Sequence, residues 1–93
     1  MVNKNTIKIR KKLDKLDNNF LNLIKKRTSL VDQILKNKKF KKDIIDRPRI
    51  SKILRKIKQK SKSKKIDPKI TKKIWSSMIS AYIDYEFRNF KKK

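Results

Sequence analysis

The side chains able to do chemistry in this sequence are cations set among apolar residues and one carboxyl set among aromatics. Arg10, Leu13, Asp17, Phe20, Ile24, Arg27, Val31, Ile34 and Lys38 follow one another at spacings that alternate between three and four residues. On a helix such positions form a single stripe. Arg10, Arg27 and Lys38 therefore share a face with core-type residues. Arg27 and Lys38 project within about 20° of each other after three turns. A cation on an apolar face is costly unless it is paired, meets an anionic ligand, or reaches the edge through its alkyl stem. With 31 Lys and Arg in the chain, some reach an edge by chance. Spacing alone leaves both readings open.

A matching anomaly lies near the other end. Ile74, Met78, Tyr82, Glu86 and Phe90 recur every four residues, so Glu86 is a carboxyl flanked by aromatic and apolar neighbours. It either pairs with a cation or faces a cavity. Arg49 lies four residues before Ile53 and is unremarkable by itself. Together the spacings suggest a cavity lined by Arg10, Arg27, Lys38 and Arg49, with Glu86 on its wall. Guanidinium forks bind carboxylates bidentately, so such a cavity suits a small, multiply anionic ligand.

The missing residue types narrow the chemistry. The chain has no Cys, no His and no Gly. That excludes a disulfide, a Cys/His metal site and a Gly-rich phosphate loop. No Ser has a recognisable base partner, which argues against most hydrolases. Reactions that need only positioning and electrostatics remain, and no metal or cofactor is expected.

Three segments must position these residues, and their patterns predict an all-α chain. The first runs from about 5 to 39, with Ile9, Leu13, Leu16, Phe20, Leu23, Ile24, Leu30, Val31, Ile34 and Leu35 at helical spacing. Residues 40–48 read as a loop in which Asp46 is a helix N-cap and Pro48 sits in the first turn. A second helix is predicted over about 47–60, with Ile50, Ile53, Leu54 and Ile57 on one face. Residues 58–65 read as a solvated, low-complexity stretch. Asp67-Pro68 then starts a third helix running to about 90. Its Trp75, Tyr82, Tyr85, Phe87 and Phe90 read as core.

Length adds a constraint. A first helix of some 34 residues would be about 50 Å long at 1.5 Å per residue. A compact chain of this size has a radius of gyration near 12 Å. The helix must reach beyond its own domain, and a second copy crossing it would cover the stripe. The expectation is one helical domain over residues 1–93, paired as an intertwined homodimer.

At these residues the chain resembles the AroQ-type (type II) chorismate mutase family, over about 8–90. The likeness begins at Ile9-Arg10-Lys11-Lys12-Leu13-Asp14-Lys15-Leu16-Asp17 and continues through Leu23-Ile24-Lys25-Lys26-Arg27 to Lys38. Asp46-x-x-Arg49 is similar to the family's Asp-x-x-Arg at the start of its second helix. Ile66-Asp67-Pro68 and Ile74-Trp75-Ser76-Ser77-Met78-Ile79 look like its third. The resemblance implies a three-helix protomer with a long N-terminal helix, dimeric with two active sites. It implies rearrangement of chorismate to prephenate for Phe and Tyr biosynthesis. Carried over, Arg10 would reach the neighbouring subunit's site. Arg10, Arg27 and Arg49 would hold the substrate's carboxylates, with Tyr82 also contacting substrate, and Asp46 would meet a hydroxyl. Lys38 would donate to the ether oxygen of the breaking bond, with Glu86 as second donor. That reaction is pericyclic and needs no nucleophile or base, which agrees with the missing residue types.

Two positions depart from the pattern. Many bacterial members have Gln where this chain has Glu86, and Glu donates only when protonated. Burial must then outweigh the pull of the nearby cations. Ile50 stands where typical mutases have Glu, and the Lys38-to-Arg49 loop is short. These features, with the aromatic-rich third helix, look more like the isochorismate-pyruvate lyase branch, which makes salicylate. The lyase is the alternative within the enzyme class.

The formal net charge of +23 offers an alternative of another class, a basic helical module that binds nucleic acid. The chain has 25 Lys, 14 Ile and 7 Asn against one Ala and no Gly. AT-rich codons produce that skew whatever the function. Runs such as Lys62-Ser63-Lys64-Lys65 are separated, with no reading motif. We read the charge as background and expect no specific nucleic-acid or membrane partner. Met1 leads into charged residues without an apolar signal segment, and no apolar run approaches the roughly 18 residues a span needs. The expected location is the cytoplasm.

Overall fold

The computed structural model describes residues 3–91. Its regular elements are three α-helices and a short 3-10 turn, with no strand among the described residues. The all-α reading with a long N-terminal helix holds. The described chain falls into two compact units, one ending at Gln33 and the next beginning at Ile34.

The first unit is most of helix α1 (Lys4–Asn37). Asn3 starts it, its Oδ1 accepting from the Thr6 backbone N–H at 2.8 Å and from Thr6 Oγ1 at 3.0 Å. A helix start leaves its first four backbone N–H groups without an intrahelical partner, and Asn3 meets that of Thr6. No glycine or proline interrupts the helix afterwards. None of the unit's described residues is buried. Leu13, Leu16, Phe20 and Leu23 remain about half exposed or more. A helix with such an apolar stripe gains its stability from whatever covers the stripe, because propensity alone is marginal in water.

The second unit is a helical hairpin with the preceding turn. Lys41–Asp43 form the 3-10 turn, and the Phe40 backbone N–H donates to Asp43 Oδ2 at 3.2 Å. The turn carries Ile44 into the interior, where it is 3% exposed. Helix α2 (Arg47–Ser63) is capped by Asp46, whose Oδ1 accepts from the Arg49 backbone N–H at 3.1 Å. Helix α3 (Pro68–Asn89) is capped by Asp67, accepting from the Lys69 N–H at 2.9 Å. Both caps stand where the sequence places them.

The end of α2 corrects the sequence reading. Residues 58–63 are helical, and the solvated stretch shrinks to the turn between Ser63 and Pro68. Lysine is a good helix former and nothing in Lys58–Ser63 stops the helix. A tertiary contact then holds the last turn. Ser61 is 3% exposed, and its Oγ donates to the Ile57 carbonyl at 2.6 Å. That uses the hydroxyl's one proton, so Thr71 Oγ1, 2.7 Å away, is the donor to Ser61. The helix ends where Lys65 takes a left-handed φ of 58°, with the Ile66 N–H reaching back to the Ser61 carbonyl at 2.8 Å.

Among the described residues only Leu35, Ile44, Ser61, Thr71 and Glu86 are buried. Trp75, Met78, Ile79, Tyr82, Ile83, Tyr85 and Phe90 are half-buried, while Phe87 is exposed, which removes it from the expected core. No described helix is long and apolar enough to cross a membrane.

Candidate active site

The second unit brings together two of the singled-out side chains, which lie 48 residues apart in sequence. Lys38 follows the last turn of α1, its backbone N–H bonded to the Leu35 carbonyl at 3.1 Å. Its Nζ donates to Glu86 Oε1 at 2.9 Å. Glu86 sits near the end of α3 and is 7% exposed. The Lys38 side chain keeps 19% exposure, so one end of the pair meets solvent. Of the two readings open for Glu86, pairing with a cation describes this state, and Lys38 is that cation.

A third group completes the arrangement. The Ile44 backbone carbonyl accepts from Lys38 Nζ at 3.5 Å. An ammonium has three N–H donors, and these two acceptors come from different elements. They fix the direction in which the remaining donor points. Sequence reasoning did not identify Ile44, since every residue carries a carbonyl. The available signal was the pair Ile44-Ile45, apolar in a polar loop, which marks a loop anchored into the interior.

Asp46 and Arg49 lie at the start of α2. The Asp46 carboxylate accepts from the Arg49 backbone N–H, and Arg49 is exposed. Tyr82 is half-buried one turn before Glu86, with its ring edge-on to Tyr85 at 6.3 Å and 87°. Arg10 and Arg27 belong to the first unit, where Arg10 is exposed and Arg27 half-buried. The geometry thus joins Lys38 to Glu86 and Asp46 to Arg49, and places Arg10 and Arg27 separately on α1. No group of three or more metal-binding side chains occurs among the described residues.

A cation held by a buried carboxylate and a carbonyl can present a charge-assisted hydrogen bond to a ligand oxygen without reorganising. It can neither attack a carbon nor relay a proton through a histidine. Comparison with known proteins points the same way. The family model described as chorismate mutase type II matches residues 9–87. No curated protein matches, and no solved structure does.

Proposed function

We infer the function from one premise: the chain belongs to the chorismate mutase type II family. The family supports an isomerase acting on a small molecule. We propose that this chain rearranges chorismate to prephenate in aromatic amino acid biosynthesis. The observation that carries the proposal is the Lys38–Glu86 contact of 2.9 Å, with the Ile44 carbonyl as the second acceptor.

The reaction breaks one C–O bond and forms one C–C bond within a single molecule. No proton enters or leaves. Two tasks remain, to hold the reactive conformer and to stabilise the charge that grows on the ether oxygen. In this reading the third N–H of Lys38 donates to that oxygen. Arg27 and Arg49 grip the two carboxylates, Asp46 and Tyr82 contact the ring and its hydroxyl, and Arg10 comes from a second copy. Residues 1–93 then form one domain, completed as an intertwined dimer. Support for the dimer comes from the exposed α1 stripe of Leu13, Leu16, Phe20 and Leu23. Such a stripe on a 34-residue helix needs a covering surface.

Glu86 accepts from Lys38 in the unliganded chain. A second donor to the ether oxygen at this position needs a hydrogen to give, which a glutamine amide supplies without titrating. Glu86→Gln is expected to keep or raise prephenate formation, and loss of activity in that variant removes the donor role.

The deciding experiment is a paired assay, with prephenate formation from chorismate in one arm and salicylate from isochorismate in the other. Prephenate formation that vanishes in Arg27→Ala supports the mutase. Dominant salicylate production assigns the chain to the lyase, which the short Lys38–Arg49 loop and Ile50 favour. Silence in both arms refutes the enzyme reading.

A further inference from the structure

We propose that the groove between α2 and α3 binds a small amphipathic carboxylate, an aryl or alkyl acid, at a site separate from the Lys38–Glu86 pair. This proposal does not rest on the mutase reading. The groove encloses about 290 Å³ between Leu54, Ile57 and Lys58 of α2 and Pro68, Thr71 and Lys72 of α3. Arg55 and Lys69 complete its wall. Thr71 and Glu86 are 15 residues apart on α3, about 22 Å along the axis at 1.5 Å per residue. The groove and the candidate active site are therefore at opposite ends of that helix.

The lining divides by chemistry. Leu54, Ile57 and Pro68 are half-buried and supply an apolar floor. Arg55, Lys58, Lys69 and Lys72 are exposed along its wall, and such side chains can extend an apolar surface with their stems while keeping their charge in water. None of these four cations is in an ion pair among the described residues. No carboxylate lines the groove. The acid closest in sequence, Asp67, is turned onto the Lys69 backbone N–H. An occupant must satisfy both parts, with apolar mass for the floor and an anion for the rim.

Size selects among anionic occupants. Small-molecule sites start at about 300 Å³. An α-helix with its side chains is about 10 Å wide and does not fit, which disfavours an acidic helical peptide. A second copy seated in the groove would shift the same amides with protein concentration alone, and that result would overturn the proposal. Inorganic anions would meet the rim and leave the floor wet. A ring or short chain ending in a carboxylate fits both.

The test is a backbone-amide NMR titration of the full chain at fixed, near-physiological salt. The probes are 4-phenylbutyrate, the neutral 4-phenylbutan-1-ol, and inorganic sulfate. We expect 4-phenylbutyrate to shift the amides of Leu54, Ile57, Lys58, Thr71 and Lys72 saturably. Its affinity should exceed those of the alcohol and of sulfate by about fivefold, the scale of two exposed charge contacts. Lys58→Gln with Lys72→Gln, both surface changes, should lower the acid to the level of the alcohol and leave the alcohol unchanged. Leu54→Trp, which fills the floor, should weaken acid and alcohol together, with circular dichroism confirming the fold. Sulfate binding as well as the acid would reduce the rim to a general ion sink and overturn the proposal. So would saturable shifts confined to α1 or to Lys38 and Glu86, or no saturable shift at all.

Discussion

Replacing Lys38 by Met separates the stability of the Lys38–Glu86 pair from its chemistry. Methionine keeps the length and apolar stem of lysine but leaves Glu86, 7% exposed, without its cation. Removing one partner of a fully buried pair costs about 3–5 kcal/mol. The Lys38 side chain is 19% exposed, so water partly compensates, and we take about 2–3 kcal/mol. The reverse change, Glu86→Met, should cost about 1 kcal/mol, because Lys38 retains the Ile44 carbonyl at 3.5 Å and can extend to solvent. The double variant buries two apolar side chains of similar volume, and such replacements are often neutral. The coupling energy, the double variant's cost less the sum of the single costs, is then about 3–4 kcal/mol in magnitude. Urea unfolding reads out the Lys38→Met cost as a midpoint lowered by about 1–3 M, at a slope of about 1–2 kcal/mol/M for so small a chain. Protein concentration is held constant across variants, since association would couple to stability. Prephenate formation should be lost in both Lys38→Met and the double variant, so stability returns and activity does not. Costs that add within about 0.5 kcal/mol would refute the coupling. An active double variant would refute the donor role of Lys38.

Lys65 holds a left-handed φ of 58°, which costs a residue with a Cβ about 1–2 kcal/mol. Lys65→Gly loses part of that gain through the entropy of its unfolded chain, so a net stabilisation of about 0.5–1 kcal/mol should raise the melting temperature by a few degrees. An unchanged melting temperature would show that the turn carries no strain. The proton order at Ser61 and Thr71 predicts unequal effects. Ser61→Ala leaves a buried Thr71 donor with only the Pro68 carbonyl, at 3.4 Å, and should cost about 1–3 kcal/mol. Thr71→Val leaves Ser61 bonded to Ile57 and should cost less, and the opposite order in thermal melts would reverse the donor assignment. Leu13→Glu with Phe20→Glu places charge on the exposed α1 stripe. Sedimentation should change from dimer to monomer, and a parent chain that already sediments as a monomer would remove the dimer from the proposed site.

Those features that depend on a few neighbouring residues were legible in the sequence. Asp46 and Asp67 start their helices because the cap is a contact two or three residues long, written locally. The α1 stripe was legible because periodicity reports a face. Periodicity does not report what covers that face. The end of α2 was misread because a lysine-rich run is compatible with helix or coil. The deciding contact, Ser61 to Thr71, joins residues on either side of a turn. The site divides in the same way. Lys38 and Glu86 each appeared as a polar interruption of an apolar row. Their mutual contact spans 48 residues, and the Ile44 carbonyl that shares Lys38 leaves no mark in side-chain chemistry.

The distribution of buried groups connects fold to function. Three of the five buried residues, Ser61, Thr71 and Glu86, are polar, while many large apolar residues remain exposed. A buried polar group stabilises little in net terms but is costly when its partner is displaced. The interior of the second unit therefore contributes more to holding geometry than to driving collapse. Ser61 and Thr71 fix the turn between α2 and α3 at one end of the hairpin, and Glu86 fixes Lys38 toward the other. Large apolar residues are exposed on α1, and in the proposed dimer they would stabilise by association. The proposed reaction needs donors held still, and the groups that hold Lys38 belong to the second unit. It follows that association should raise stability strongly with protein concentration while leaving the Lys38–Glu86 coupling unchanged. Unfolding the double-mutant cycle at two protein concentrations tests this directly, and a coupling energy that scales with concentration would show that the pair forms only in the associated state.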